Sequence, residues 1–461
     1  MTAMTLGHYI GAIIGILTVI GAGVLSGIRS SRKGISTSGE RALGTFSVST
    51  SAIGILVGGA STIGTAQLAY IYGFSAWWFT LGVGLACLSL LVFRKPFYDS
   101  HVPTLTKIVT GEYGGRSGTL TALLMSAGSF IAVVSQMLSG VALVTSVSAI
   151  SDIFAGLVVA VVMISYIIFG GMRGSSATGL IKCILLYSCC VACGFIVLTA
   201  ADGGWAHIRA TLPAEQYFNL FARGFATDFG AGLSVVLGVL TTQAYFQVFV
   251  MSKNKQVYNR TCIVGTVLIP PVGVATILVG MYMKINYPTI NPRSALPLFI
   301  MEKFPPVFAG ICLGGILITL VGTGAGLTAG IANNFAREFY KVYIKPDASQ
   351  KQLSFVTNAC IAIVPLLPII FVVADMGDLI STWSFLALGL RGAGLFAPLC
   401  AAIWLPGKCD TRYAQAAIII GPIVTILSQI FLPLPVDSVF PGIAAAGITV
   451  ALGCRAKKKS A

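Results

Sequence analysis

Long apolar runs follow one another along almost the whole chain, separated by short polar or basic stretches. Each run is about 20 residues long or longer, the length that an α-helix needs to cross a bilayer. We predict about thirteen spanning segments, at residues 9–27, 46–72, 75–93, 118–147, 152–170, 176–199, 229–251, 262–285, 306–334, 354–374, 381–404, 413–432 and 438–454. The gaps leave no room for a soluble catalytic domain, so the pattern predicts an all-α integral membrane protein that is not an enzyme.

Two of these runs contain a glycine-rich weak point. Residues 54–64 read Gly-Ile-Leu-Val-Gly-Gly-Ala-Ser-Thr-Ile-Gly, and residues 238–243 read Gly-Val-Leu-Thr-Thr-Gln. Backbone groups freed by a helix break at membrane depth are tolerated only where they line a buried cavity. Two broken helices in two halves of a chain are typical of a secondary transporter. We therefore predict a solute site between two broken helices.

The order of the segments predicts three parts. Residues 1–45 hold an extra N-terminal helix and a cytoplasmic loop, and residues 405–461 hold two C-terminal helices and a basic tail. Between them lies a ten-helix transport core, 46–404, with a first repeat at 46–199 and a second at 229–404. Each repeat opens on a broken helix, which is the arrangement of a 5+5 inverted repeat.

Charge sets the orientation. Only 9% of the residues are charged, and the net charge is +15. Alternating the loops places most of the 29 basic residues on one side, together with the Lys457-Lys-Lys tail. By the positive-inside rule the N-terminus lies outside and the C-terminus in the cytoplasm, as expected for a multi-pass protein of the cell (inner) membrane. The basic excess is then explained by topology and by contact with the lipid bilayer, so we expect no nucleic-acid partner.

Cysteine and histidine add no further chemistry. The eleven cysteines fall in predicted spans or at cytoplasmic ends, so we expect no structural disulfide. The three histidines, His8, His101 and His207, are scattered and form no metal-ligand cluster.

Several motifs keep their order and spacing along the chain. They are Gly64-Thr-Ala-Gln-Leu-Ala-Tyr-Ile-Tyr-Gly73, residues 102–114, Ser135-Gln-Met-Leu-Ser-Gly140, Gly170-Gly-Met-Arg173, Gln243 and Gln247 followed by Lys253 and Arg260, and residues 337–346. Together they resemble the sodium:solute symporter family, which includes proline, pantothenate and sugar symporters and has a leucine-transporter-like fold. The resemblance implies alternating access, with Na⁺ as a possible coupling ion and no other cofactor.

The resemblance also implies a sodium site. Its carbonyls would come from Gly54, Val57 and Thr319, and its paired hydroxyl positions fall on Gly322 and Thr323. Hard cations prefer oxygen ligands, and the glycine at position 322 removes one of them. Gly179 stands where the family usually places an aspartate, which removes a negative charge near the same site.

Lys182 lies one helical turn after Gly179, on the same helix face. Its ammonium is a candidate cation surrogate that holds the helices together without sodium or exchanges a proton during transport. The alternative is that the side chain extends to the cytoplasmic headgroups.

Arg391 lies near the centre of its predicted span, too deep to reach water easily. It is a candidate clamp for a substrate carboxylate; the alternative is that it donates to carbonyls freed by the flanking glycines. All fourteen acidic residues fall in loops or near helix ends. Two buried cations without a buried anion favour an anionic or zwitterionic small-molecule substrate, an organic acid or an amino acid rather than choline.

The remaining candidate substrate-binding residues come from the broken helices and the helix that faces them. They are Gly58, Gly59, Ser61, Thr62, Gln136, Ser139, Gln243, Tyr245, Phe246 and Gln247. Simple helix packing is the alternative role for each of them.

The leading hypothesis is a secondary active transporter that couples symport of a small organic solute to a cation, namely sodium. The close alternative is a sodium-independent carrier of the same fold, proton-coupled or an exchanger, with Lys182 in place of the cation. A transporter-like receptor or a channel is the alternative of another class. The sequence supplies neither an appended signalling domain nor a continuous polar pore for it.

Overall fold

The computed structural model describes residues 4–32, 43–99, 104–170, 175–200, 204–374, 379–431 and 436–460, and these are almost entirely helical. Residues 171–173 of the predicted Gly170–Arg173 motif lie outside this range, as do His101 and residues 102 and 103 of the 102–114 motif.

Twenty α-helices follow one another in the described residues. They are α1 Leu6–Arg32, α2 Thr45–Leu56, α3 Thr65–Tyr72, α4 Trp78–Val92, α5 Leu105–Tyr113, α6 Gly115–Val147, α7 Asp152–Ser165, α8 Ser175–Leu198, α9 Gly204–Thr211, α10 Ala214–Tyr217, α11 Phe225–Leu240, α12 Gln243–Val250, α13 Lys255–Asn286, α14 Ala295–Lys303, α15 Pro306–Asn334, α16 Gln350–Ile363, α17 Ile369–Val373, α18 Ile380–Trp404, α19 Thr411–Phe431 and α20 Val439–Ser460.

Both predicted breaks are present. Helix α2 ends at Leu56, Val57 is extended, and a π-helical turn over Ala60–Gly64 leads into α3. Helix α11 ends at Leu240, and α12 leaves the break at 58° to it. The glycines explain the first interruption, because glycine is a poor helix former and the carbonyls it frees here stay inside protein rather than lipid.

Eight helical stretches of the described residues are long and apolar enough to cross a membrane, or nine if the bent α11 and α12 form one span. Three shorter apolar helices lie at Leu6–Val19, Thr45–Leu56 and Asp152–Ile168. The protein is therefore a multi-pass membrane protein, whereas the count of thirteen stays a prediction. Hydropathy runs on through a helix break, so a sequence window finds one span where the structure has two short helices.

Helix packing follows a two-fold pattern. Helix α2 packs on α8 as α11 packs on α18, and α2 packs on α13 as α11 packs on α4. The pairs α4 with α13 and α6 with α15 lie between the two sets. This is the pattern expected when two five-helix units are related by an axis in the membrane plane. The bounds 46–199 and 229–404 for those units stay predictions.

The flanking helices pack outside this arrangement. Helix α1 lies along α15, where a β-carbon built at Gly15 would come within 2.8 Å of the Ile311 carbonyl. Helices α19 and α20 pair with each other and pack on α18. Glycine at such crossings allows the close backbone approach that stabilises helix pairs in lipid.

Candidate functional site

The first break is fastened to α6. The Gly59 N–H donates to Gln136 Oε1 at 2.9 Å. A β-carbon built at Gly58 would lie 3.0 Å from the same oxygen and 3.2 Å from Thr323 Oγ1, and one built at Gly59 would overlap Ser139. The unwound backbone, α6 and α15 therefore meet at one point, which the two glycines make possible.

Hydroxyl groups line the same region. Thr62 Oγ1 donates to the Gly58 carbonyl at 3.1 Å, and Ser139 Oγ donates to the Ser135 carbonyl at 2.9 Å. Ser61 is fully buried, and its hydroxyl oxygen has no hydrogen-bond partner among the described residues. The structure thus places Gly58, Gly59, Ser61, Thr62, Gln136 and Ser139 around or beside the first break.

The predicted sodium-site residues also adjoin this break. Thr319 and Thr323 lie one turn apart on α15, where Thr319 Oγ1 donates to the Gly315 carbonyl at 2.7 Å and Thr323 Oγ1 to the Thr319 carbonyl at 3.1 Å. Val57 is the extended residue that ends α2. Gly54 faces α8, because a β-carbon built there would lie 3.1 Å from the Gly179 Cα atom.

Lys182 points into this region rather than toward the headgroups. Its side chain is 5% exposed. A β-carbon built at Gly322 would overlap Lys182 Nζ and would lie 2.7 Å from its Cε atom and 3.2 Å from Tyr166 Cζ. The ammonium lies 5.2 Å from the centre of the Tyr166 ring, a cation–π distance. Lys182 Nζ therefore occupies the space that any side chain at position 322 would need.

Arg391 lies beside an earlier part of α6 than the one that contacts the first break. It is 1% exposed, its Nε donates to the Ala387 carbonyl at 3.0 Å, and its Nη1 donates to Ser129 Oγ at 3.4 Å. Its Nη2 is buried without a hydrogen-bond partner among the described residues. Ser129 precedes Gln136 by two turns of α6, so Arg391 lies about 10 Å from the first break, toward the predicted cytoplasmic side.

Residues after the second break divide into two groups. Gln243 Oε1 accepts from the Leu105 N–H at 2.9 Å, while its Nε2 is buried with no partner among the described residues. Phe246 packs edge-on against Phe97 at 5.1 Å, and Gln247 is exposed. The structure brings the Gln243 amide and the half-buried Tyr245 near the break and directs Phe246 and Gln247 elsewhere; their roles stay predictions.

The start of α18 covers the first break on the predicted outer side. The Ile380 N–H donates to Gln67 Oε1 at 3.0 Å, and Ser135 Oγ contacts Ser384 Oγ at 2.7 Å. A β-carbon built at Gly64 would lie 2.9 Å from Ser381 Oγ. Sequence reasoning missed Gln67 and Ser384, although a buried amide within an apolar run, as at Gln67, is a usable signal.

A polar network joins the ends of the two halves on the predicted outer side. Asp228 is fully buried on α11 and forms an ion pair with Arg223 at 2.6 Å. Ser75 Oγ donates to Asp228 Oδ1 at 2.7 Å from the turn after α3. Beside it lies a cavity of about 260 Å³ between α11, α18 and α19. Burial raises the pKa of the Asp437 carboxyl at its rim, although the Val439 N–H and Arg223 oppose the shift.

Comparison with known proteins identifies the family of this chain. Residues 37–421 match the sodium:solute symporter family, which is most of the 461 residues. The chain belongs to the sodium:solute symporter family. The predicted resemblance is confirmed, and the protein is therefore a member of a family of membrane transporters.

Curated relatives are distant in sequence. A monocarboxylate transport permease from Rhizobium johnstonii is 23% identical over 73% of this chain and 72% of its own length. High-affinity choline transporter 1 from Drosophila melanogaster is 23% identical over 79% of this chain and 61% of its own length. The chain thus spans less than two thirds of that second relative.

A solved structure shares the whole architecture. A Na⁺-coupled sialic acid symporter in a substrate-bound, outward-open state has a TM-score of 0.79, 16% identity, and 98% coverage of both chains. At this identity the likeness shows the fold alone. The predicted transporter architecture with two broken helices is confirmed at that level.

Proposed function

We propose that this protein is a secondary active transporter that carries a small organic solute bearing a carboxylate. The solute would bind between the two broken helices and reach either side by alternating access, as the bundle with both broken helices rocks against the remaining core. We also infer a location in the cell membrane, with the N-terminus outside and the C-terminus in the cytoplasm.

One observation carries the proposal: four buried polar atoms near the breaks have no partner among the described residues. They are Ser61 Oγ, Gln243 Nε2, Ser381 Oγ and Arg391 Nη2. Leaving a buried donor or acceptor unsatisfied costs about 1–3 kcal/mol, and more for a charged group. A polar solute that passes between the two broken helices would form hydrogen bonds with these atoms one after another. Their role in binding solute would then explain why they are buried without partners.

The charge of these groups favours an anionic or zwitterionic solute. Arg391 places a guanidinium nitrogen within the helix bundle, and a guanidinium is suited to bind a carboxylate. Similarity to the monocarboxylate permease supports this class, whereas similarity to the choline transporter favours a cation. Choline is therefore the solute whose transport would argue against our proposal.

Two candidate coupling modes differ at the site beside Gly54. Family membership and the oxygens of Thr319 and Thr323 favour sodium-coupled symport. The position of Lys182 Nζ at Gly322 favours sodium-independent carriage, by proton coupling or exchange. The carrier mechanism itself does not depend on which cation fills this site.

The test begins with thermal unfolding of the purified full-length protein against short monocarboxylates, amino acids and choline. A ligand that binds the folded state raises the unfolding temperature by mass action. Solutes that do so are then tested by counterflow in proteoliposomes, with and without sodium. Carboxylate-specific counterflow is expected; counterflow of choline but of no carboxylate would contradict the proposal.

A further inference from the structure

Lys182 and Gly322 face each other from α8 and α15, and the lysine fills the space that the glycine leaves. This space lies between the Gly322 backbone and the Tyr166 ring, whose centre is 5.2 Å from the Lys182 ammonium. A side chain at 322 would therefore displace the Lys182 ammonium from its present position.

The ammonium lies at Gly322, one of the positions to which the family resemblance assigns a sodium ligand. Carbonyls freed by a broken helix coordinate Na⁺ in such folds, and oxygen is the preferred ligand. Val57 and Gly58 supply the unwound backbone. Thr323 Oγ1 lies beside Gly58, and Gly322 directly precedes Thr323 on α15. Lys182 Nζ thus lies against the stretch of α15 that would supply two of the oxygens of a cation site, Thr319 and Thr323.

We propose that Lys182 is a built-in cation: its ammonium occupies the coupling-ion site, so transport does not depend on sodium there. This inference rests on the proposed carrier function. No carboxylate of the described residues forms an ion pair with Lys182. Two unit positive charges about 4 Å apart at an effective dielectric of 20 repel enough to weaken sodium binding on the order of 1,000-fold.

Snorkelling is the competing explanation, and the burial argues against it. A lysine that reached the headgroups would expose its ammonium to water or lipid phosphate. Lys182 is 5% exposed, and its Cε and Nζ atoms lie against α15. The side chain therefore points inward across the helix interface rather than along it.

Sodium binding tests the inference without any transport assay. Purified full-length protein is unfolded thermally in NaCl and in KCl at equal ionic strength. Wild type should unfold at the same temperature in both salts and should bind no ²²Na⁺ saturably. Lys182→Ala combined with Gly322→Ser removes the ammonium and supplies a hydroxyl, so this variant should gain a saturable, sodium-specific stabilisation.

The matched control is Lys182→Ala combined with Gly326→Ser. It adds the same hydroxyl one turn further along α15, where a β-carbon at Gly326 meets no atom within 4 Å. This control should show no sodium response. Gly322→Ser alone should lower the unfolding temperature, because the serine displaces the Lys182 ammonium. Adding Lys182→Ala to this variant should restore the temperature, which tests the displacement separately.

Saturable ²²Na⁺ binding by wild type would overturn the inference, and that measurement needs no variant to fold. A folded Lys182→Ala, Gly322→Ser protein without a sodium response would overturn the assignment of these oxygens as a cation site. Failure of every carboxylate in counterflow would instead overturn the carrier proposal and would leave the sodium measurement unaffected.

Discussion

Replacing Arg391 by methionine tests whether the buried guanidinium binds solute or only braces α18. Methionine keeps most of the volume of the side chain and removes its charge and its donors. In wild type, one guanidinium nitrogen is free of partners among the described residues, and the 3.4 Å contact with Ser129 is at the limit of a hydrogen bond. A carboxylate would therefore gain at least one charge-assisted hydrogen bond here.

Such a bond contributes about 1.5–3 kcal/mol, which corresponds to a roughly 10- to 150-fold loss of solute affinity in Arg391→Met. The free energy of unfolding without solute should not fall in this variant. Removing a buried charge that has no anionic partner among the described residues also removes its desolvation penalty, which is several kcal/mol per ion. We expect an unchanged or higher unfolding temperature together with weakened stabilisation by solute. Arg391→Lys, which keeps the charge but loses the planar fork, should lie between the two.

The assay is thermal unfolding across a titration of the best carboxylate from the solute screen. Arg260→Met is the matched control, because Arg260 is exposed on α13 and the same substitution there removes one positive charge. Equal solute affinities for wild type and Arg391→Met would refute the carboxylate role. A lower unfolding temperature with unchanged solute affinity would assign Arg391 to bracing.

Three further substitutions test the packing around the site. Asp228→Asn leaves the Arg223 guanidinium without its buried anion and should cost about 3–5 kcal/mol of stability, measured by thermal unfolding; an unchanged unfolding temperature would contradict the network. Gln136→Leu leaves the Gly59 N–H unsatisfied and should cost about 1–3 kcal/mol and slow counterflow, and normal transport would remove this bond from the site. Gly238→Ala places a methyl group 2.6 Å from an α18 backbone atom and should cost about 1–3 kcal/mol, whereas equal stability would argue against close packing.

The sequence predicts the two breaks well because their cause is local. Gly54, Gly58 and Gly59 weaken the first helix, and an apolar environment makes any unpaired backbone costly enough to mark a site. Each family motif is also a short continuous or closely spaced stretch of the chain. Both kinds of signal can be read without knowing which helices are neighbours.

The sequence could not predict which residues the side chains contact, because these contacts depend on helix packing. Gln243 caps Leu105 from 138 residues away, and no local pattern connects the two. The sequence leaves Lys182 two outcomes, one toward the headgroups and one inward, and only the contact between α8 and α15 distinguishes them. The depth of Arg391 could be estimated from helix rise, but its separation from the first break could not.

Gly179, Lys182 and Gly322 are physically linked at this site. A β-carbon built at Gly179 would lie 3.0 Å from the Thr50 carbonyl oxygen and 3.2 Å from the Ser51 Cα atom, so an aspartate there would require α2 and α8 to move apart. The close approach that this glycine permits also fixes the start of α8 beside the first break. One turn later Lys182 reaches α15, and the missing β-carbon of Gly322 receives its ammonium. A carboxylate restored at 179 alone would push α2 from α8 and leave the lysine in place, which is why a sodium site requires the change at 182 and 322 together.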